Sequence, residues 1–171
     1  MSNAISTTSS AGSPSAIKTI LLAGFIAGTL DILAAITVYA FIMHRTTAKN
    51  LLQGIARSVI GVFGERPTGD SLTLTLAGLG FHFMIAFSFA IFYFLVFPYL
   101  PSLKKKRILS GLLYGIFVWC VMNLAMLPLF HIANIPHKWD NILRGMIILM
   151  LCIGLPVSLI VSRYYNSKNQ L

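Results

Sequence analysis

Four long apolar stretches, Ile20–Met43, Leu74–Phe97, Ile108–Phe130 and Ile142–Ser162, run through a chain of 171 residues and hold only two formally charged side chains, Asp31 and Arg144. About 20 apolar residues in a helix cover the roughly 30 Å hydrocarbon core of a bilayer, so each stretch is long enough to cross once. Apolar residues make up 57% of the chain and charged residues 10%. Soluble domains carry about a quarter charged residues, and a fold of this size has no interior able to hide so much apolar surface. Lipid must therefore serve as part of the solvent. Inside lipid every backbone amide needs an internal partner, which leaves helices or closed barrels. Barrel strands would alternate apolar and polar residues, whereas Ala86–Phe97 is almost continuously apolar. The sequence predicts an all-α membrane protein, a four-transmembrane-helix bundle within 17–165. A disordered Ser-, Ala- and Thr-rich segment over 1–16 is expected before it, and a short tail at 166–171 after it. The first stretch is too long for a signal-peptide core and carries Asp31 at its centre.

A formal net charge of +9 would point to nucleic acid in a soluble domain. Here the cations flank or connect the spans, most densely in the KKKR run at 104–107, where they anchor helix ends and set orientation. Lipid headgroups are the expected acidic partners, and no nucleic acid is expected. Lys18, the 104–107 run, Arg163 and Lys168 fall on one side of the membrane. Arg45, Lys49, Arg57, Arg66 and Lys138 fall on the other, with Arg144 just inside the last span, near enough to its end to snorkel. A dense cluster in a short loop favours both termini in the cytoplasm. Cys120 and Cys152 form no CxxC pair and read as small buried hydrophobes.

Between the first two spans, Leu52, Ile55, Ala56, Val59, Ile60 and Phe63 recur at helical spacing, with Asn50, Gln53, Arg57 and Ser58 on the other face. Thr46 or Thr47 can cap this helix over about 47–63, and Gly64 can end it. Its length and two cations suit an amphipathic helix lying in the interface, with a re-entrant helix as the alternative. ERPTGD at 65–70 forms the turn that follows. The last connection carries His131, His137 and Asp140, whose spacing lacks the compact pairs of zinc sites, so no metal and no cofactor is expected. Trp139, Tyr99, Tyr164 and Tyr165 suit the headgroup level.

Polar residues inside the spans are the candidate site. Asp31 shares a helical face with Gly24, Gly28 and Ala35, and small residues at that spacing admit a neighbouring helix. The second span repeats the pattern with Gly78, His82, Ala86 and Ala90, and the third offers Gly111, Gly115 and Asn123. By depth, Asp31, His82 and Asn123 can form one cluster from the outer third of the membrane to its midplane. Two readings of that cluster stand: a proton or solute pathway, or interhelical polar glue. Pro128 and Pro156 each interrupt a span and are expected to kink it.

GFIAGTLD (24–31), LLQGIA (51–56), GFHF (80–83), LLYG (112–115), VMNLAMLPL (121–129) and IGLP (153–156) together resemble a widespread family of uncharacterised bacterial inner-membrane proteins with four predicted spans. The resemblance covers roughly Ile20 to Arg163. It implies a single bundle in a bacterial inner membrane, with Asp31, Gln53, His82, Asn123 and Pro128 at the family's recurrent polar and proline positions. The chain departs from the family at LMLC (149–152), where a His is frequent. The resemblance implies no activity.

No GxSxG, HExxH, Walker A or Rossmann pattern occurs, so an enzyme is not expected. The expectation is a structural, assembly or stress-related membrane component, with lipids, other membrane proteins or a second copy as partners. The alternative is a small transporter or channel subunit that uses Asp31, His82 and Asn123 and oligomerises through faces such as Gly111-x3-Gly115.

Overall fold

The structure, a computed structural model, describes residues 15–99, 106–129 and 139–168. Most of the predicted N-terminal segment, Lys104 and Lys105, the His131 and His137 positions, Lys138 and the last residues of the tail lie outside the described residues. Among the described residues the protein is all-α. The helices are α1 (Ala16–Ile42), α2 (Ala48–Phe63), α3 (Leu72–Tyr99), α4 (Arg107–Met126) and α5 (Trp139–Lys168). All but α2 are long and apolar enough to cross a membrane. This is an integral multi-pass membrane protein with a four-helix bundle and one additional amphipathic helix.

Three spanning helices outrun the apolar stretches that marked them. The last begins at Trp139 rather than Ile142 and continues to Lys168, into the stretch expected as tail. Helical backbone needs no lipid to persist once begun, so polar flanks such as Asp140 and Asn141 extend the same rod into the headgroup zone. The starts of α2 and α3 are set by side-chain caps. Thr47 Oγ1 accepts from the Asn50 amide at 3.1 Å, and Ser71 Oγ accepts from the Leu74 amide at 3.1 Å.

Spans α1 and α3 pack together, as do α1 and α5, and α4 and α5. The α4–α5 crossing is the tightest. A Cβ on Gly111 would stand 2.9 Å from the Gly154 carbonyl oxygen, and one on Gly154 would stand 2.8 Å from the Gly115 amide nitrogen. Three glycines on two helices thus bring backbone against backbone, the arrangement that favours association where lipid removes the hydrophobic drive. The α3–α4 seam is closed differently, by large side chains. Phe92 stacks on Phe117 at 5.3 Å, and Tyr93 meets Tyr114 at 4.6 Å between ring centroids.

Packing is uneven along the membrane normal. The core of Ala23, Ala27, Phe89, Ala90, Tyr93, Phe94, Phe97, Tyr114, Val118, Ile153, Val157, Val161 and Tyr164 lies in the half nearer the termini. Toward the other side, no residue of Ile36–Ile42, Val121–Met126 or Trp139–Leu149 is buried. Large apolar side chains such as Phe25, Leu33, Leu76, Leu95 and Leu113 are exposed around the bundle, as a lipid-facing surface requires.

π-helical turns occupy Ile36–Ile42, Val121–Met126 and Met150–Gly154. The latter two end two residues before Pro128 and Pro156. A proline donates no amide hydrogen and its ring collides with the carbonyl four residues back, so the preceding turn widens. No proline stands in or beside the π turn of α1; β-branched Ile36, Thr37 and Val38 open it.

Gly115→Leu should force α4 and α5 apart and cost about 1–3 kcal/mol, as overpacking does. Gly80→Leu should be near neutral, because a Cβ at Gly80 meets nothing within 4 Å. Thermal unfolding in detergent reads both; equal melting temperatures for the two variants would contradict the crossing.

Candidate functional site

His82 of α3 and the backbone of α1 meet where the packed half of the bundle gives way to the open half. Gly28 makes the meeting possible. It is buried, and its missing side chain lets α3 approach until Phe83 and Ala86 stand 3.0 and 3.1 Å from where a Cβ would be. At that separation His82 Nε2 lies 2.8 Å from the Gly28 carbonyl oxygen. A carbonyl only accepts, so Nε2 carries the proton and donates. Asp31, one turn further along α1 and half-buried, lies within electrostatic range of His82 on α3 and of Cys152 on α5. Two residues before Asp31, Thr29 Oγ1 is the buried side-chain polar atom that no described residue hydrogen-bonds.

Asn123 is placed otherwise. Its Nδ2 donates to the Trp119 carbonyl at 2.9 Å, within its own helix and inside the π turn that precedes Pro128. No hydrogen bond among the described residues joins it to Asp31 or His82. The physical reason is local: a widened turn loosens the backbone ladder, and a side-chain amide four residues on supplies the missing donor. The glycines are distributed among different partners. Gly24 faces Phe87, Gly28 faces Phe83, and Gly111 and Gly115 face α5 of the same chain. Gly78 faces the Leu52 carbonyl of α2, so the small-residue stripe of α3 serves α1 at one end and α2 at the other.

A second polar centre ties α2 to α3 and was read differently from the sequence. Gln53, expected on the polar face of an interfacial helix, is 1% exposed and turned toward the start of α3. Its Nε2 donates to Asp70 Oδ1 at 2.6 Å, to the Ser71 carbonyl at 3.0 Å and to Thr75 Oγ1 at 3.0 Å. Its Oε1 accepts from Arg57 Nη2 at 3.0 Å. Arg57 also donates to the carbonyls of Pro67, at 3.2 Å, and Gly69, at 2.5 Å. Gly69 stands at φ 83°, a left-handed conformation that favours glycine, which aims its carbonyl back at Arg57. Lys49 closes the ring by pairing with Asp70. Lys49 and Gln53, both hydrogen-bonded to Asp70, hold its carboxyl below the usual carboxylate range. So α2 docks on α3 through a mixed face of Gln53, Ala56 and Val59 and leaves Phe63 exposed.

A third set of polar groups lies in the packed half. The Tyr93 hydroxyl meets Ser110 Oγ at 2.5 Å and Ser158 Oγ at 2.9 Å, and Ser158 donates to the Arg107 carbonyl at 2.7 Å. Tyr114 donates to the Phe89 carbonyl at 2.6 Å. Ser110 and Ser158 have no exposed surface, so this network binds α3, α4 and α5 in a dry interior. Only the serines' place among apolar neighbours signals it in the sequence, and that signal is too common to single them out.

Arg144 lies near the start of α5, on the side of the bundle away from the termini. It donates to Met43 Sδ at 3.1 Å and to Asn141 Oδ1 at 3.5 Å, and pairs loosely with Asp140 at 3.8 Å. Arg45 donates to the same Asn141 oxygen at 3.3 Å, so the end of α1 is joined to the start of α5. No cluster of three metal-ligating side chains occurs among the described residues. No family model matches the chain, and no curated protein or solved structure matches it either.

Gln53→Leu should leave Arg57 and Asp70 short of partners and cost about 1–3 kcal/mol, measured by thermal unfolding. A carboxyl held low adds stability above its ordinary value of 3.8, lost as pH falls through its depressed value. Asp70→Asn should therefore melt below the wild type at pH 7, with the gap narrowing as pH falls from 3.8 through the depressed value. A gap unchanged down to pH 2 would contradict the role of the charge.

Proposed function

We propose that the protein is a structural or assembly component of a bacterial inner membrane, with both termini in the cytoplasm and no catalytic role. The hydrogen bond from His82 to the Gly28 carbonyl carries this reading. It uses the imidazole to join α1 to α3. Tyr93, Ser110, Ser158 and Tyr114 join helices in the same way, and Asn123 bonds within its own helix. Polar contacts of this kind contribute about 0.6–2 kcal/mol each to a membrane bundle. The bacterial inner membrane follows from the motifs that resemble the four-span family. The orientation follows from the cations at Lys18, 104–107, Arg163 and Lys168.

A second reading is a transporter or channel subunit. It is supported by the unpacked outer half, which leads from the Met43 and Trp139 end of the bundle down to the level of Asp31 and the unpartnered Thr29 hydroxyl. Against it stands the packed half below, where Val118, Val157 and Val161 have no exposed surface.

The two readings separate on Asp31→Asn and His82→Leu. Under the structural reading both variants lower cellular abundance and melting temperature, and proteoliposomes carrying the wild type show no proton- or solute-linked flux above empty vesicles. A wild-type flux that Asp31→Asn abolishes while abundance and melting stay unchanged would overturn it in favour of transport.

A further inference from the structure

The hydrogen bond from Ser158 to the Arg107 carbonyl, at 2.7 Å, pins the start of α4 to α5. Ser158 is fully buried and also bonded by Tyr93, so this joint is a fixed part of the packed half. On its outer surface α4 and α5 leave an open groove of about 590 Å³, lined by Lys106, Arg107, Ile108, Leu109, Leu112 and Leu159. Two cations stand at one end and four aliphatic side chains form the wall, with no acidic group among them. Neither Lys106 nor Arg107 enters an ion pair among the described residues. Ile108 is 63% exposed and Leu109 45%, on the side of the bundle where lipid is the solvent.

The charges and the wall lie at different depths. Lys106 precedes α4 and Arg107 begins it, at the level where hydrocarbon meets headgroups. Leu112 follows five residues after Arg107, roughly 8 Å deeper along the helix. An occupant needs an anionic head at the first level and a hydrocarbon chain at the second. A soluble anion supplies the head alone and leaves the aliphatic wall without a role. We propose that this groove is a binding site for an anionic phospholipid of the leaflet on the side of the termini. The site lies away from Asp31 and His82 and does not depend on what those residues do.

The lipid's phosphate sits between Lys106 and Arg107, and one acyl chain lies along Ile108, Leu112 and Leu159. Cations at a membrane surface gain about 1 kcal/mol each from anionic lipid, so two should favour it over a zwitterionic lipid by about tenfold or more. Native mass spectrometry of the full chain, titrated with phosphatidylglycerol or phosphatidylcholine, reads that ratio. The wild type should retain phosphatidylglycerol about tenfold more strongly. Lys106→Gln with Arg107→Gln should abolish the preference, and Leu159→Trp should weaken both lipids by filling the groove with the charges intact. Arg45→Gln, at the opposite end of the bundle, should leave the preference unchanged. Circular dichroism and size exclusion establish that each variant is folded. Should the double variant aggregate, Lys106→Gln alone, with an exposed side chain, should still reduce the ratio by about fivefold. Equal retention of the two lipids by the wild type would overturn the proposal. So would an unchanged ratio in the folded charge variants, or displacement of phosphatidylglycerol by an equal concentration of inorganic phosphate.

Discussion

Hydrocarbon offers a polar group no partner, and that single fact organises this molecule. It compels each crossing segment to be a helix, because only there does every amide find a carbonyl within its own segment. It also removes the hydrophobic drive between helices, so close approach must come from missing side chains. Gly111, Gly115 and Gly154 supply that approach between α4 and α5, and Gly24 and Gly28 supply it between α1 and α3. Where the backbones come nearest, a carbonyl becomes reachable from outside its helix. His82 takes the Gly28 carbonyl in this way. The glycine stripe and the intramembrane histidine are two parts of one arrangement.

The same requirement divides the bundle along its length. In the half nearer the termini, hydroxyls of Tyr93, Tyr114, Ser110 and Ser158 are all satisfied by protein groups, and aromatic rings fill the space between α3 and α4. In the other half the π turns of α1 and α4 loosen the ladder, and no residue within them is buried. The Gln53 centre compensates on one flank by fastening α2 to the start of α3. Asp31 sits at the border of the two halves. Its surroundings are thus set from one side by close packing and from the other by segments without a buried residue.

Much of the architecture is legible in the chain itself. Four apolar runs with two charges mark the crossings, and the 3.6-residue period from Leu52 to Phe63 marks α2 to within a residue or two. Thr47 starts that helix by local capping chemistry, and the helix ends at Gly64, whose backbone is extended. What the pattern does not carry is which helix a given face meets. Gln53 reads as solvated because its neighbours Asn50, Arg57 and Ser58 are polar, yet the ERPTGD turn folds back and buries it. Asn123 lies at the right depth to join His82, yet its amide is taken by the Trp119 carbonyl in a turn that Pro128 widens. The Gly111 and Gly115 face could serve a second copy or the next helix, and spacing is identical in either case; here it meets α5. Local signals place elements, whereas partners follow from tertiary approach that no local period encodes.

The account rests on four crossings with α2 held on one face of the membrane. Compartment-specific reporters fused to the N-terminus, inserted between Gly64 and Ser71, and fused to the C-terminus measure this most directly. Both termini should report one compartment and the α2–α3 connection the other. Termini on opposite faces, or a connection on the same face as the N-terminus, would mean that α2 crosses or that a span does not, and would contradict it.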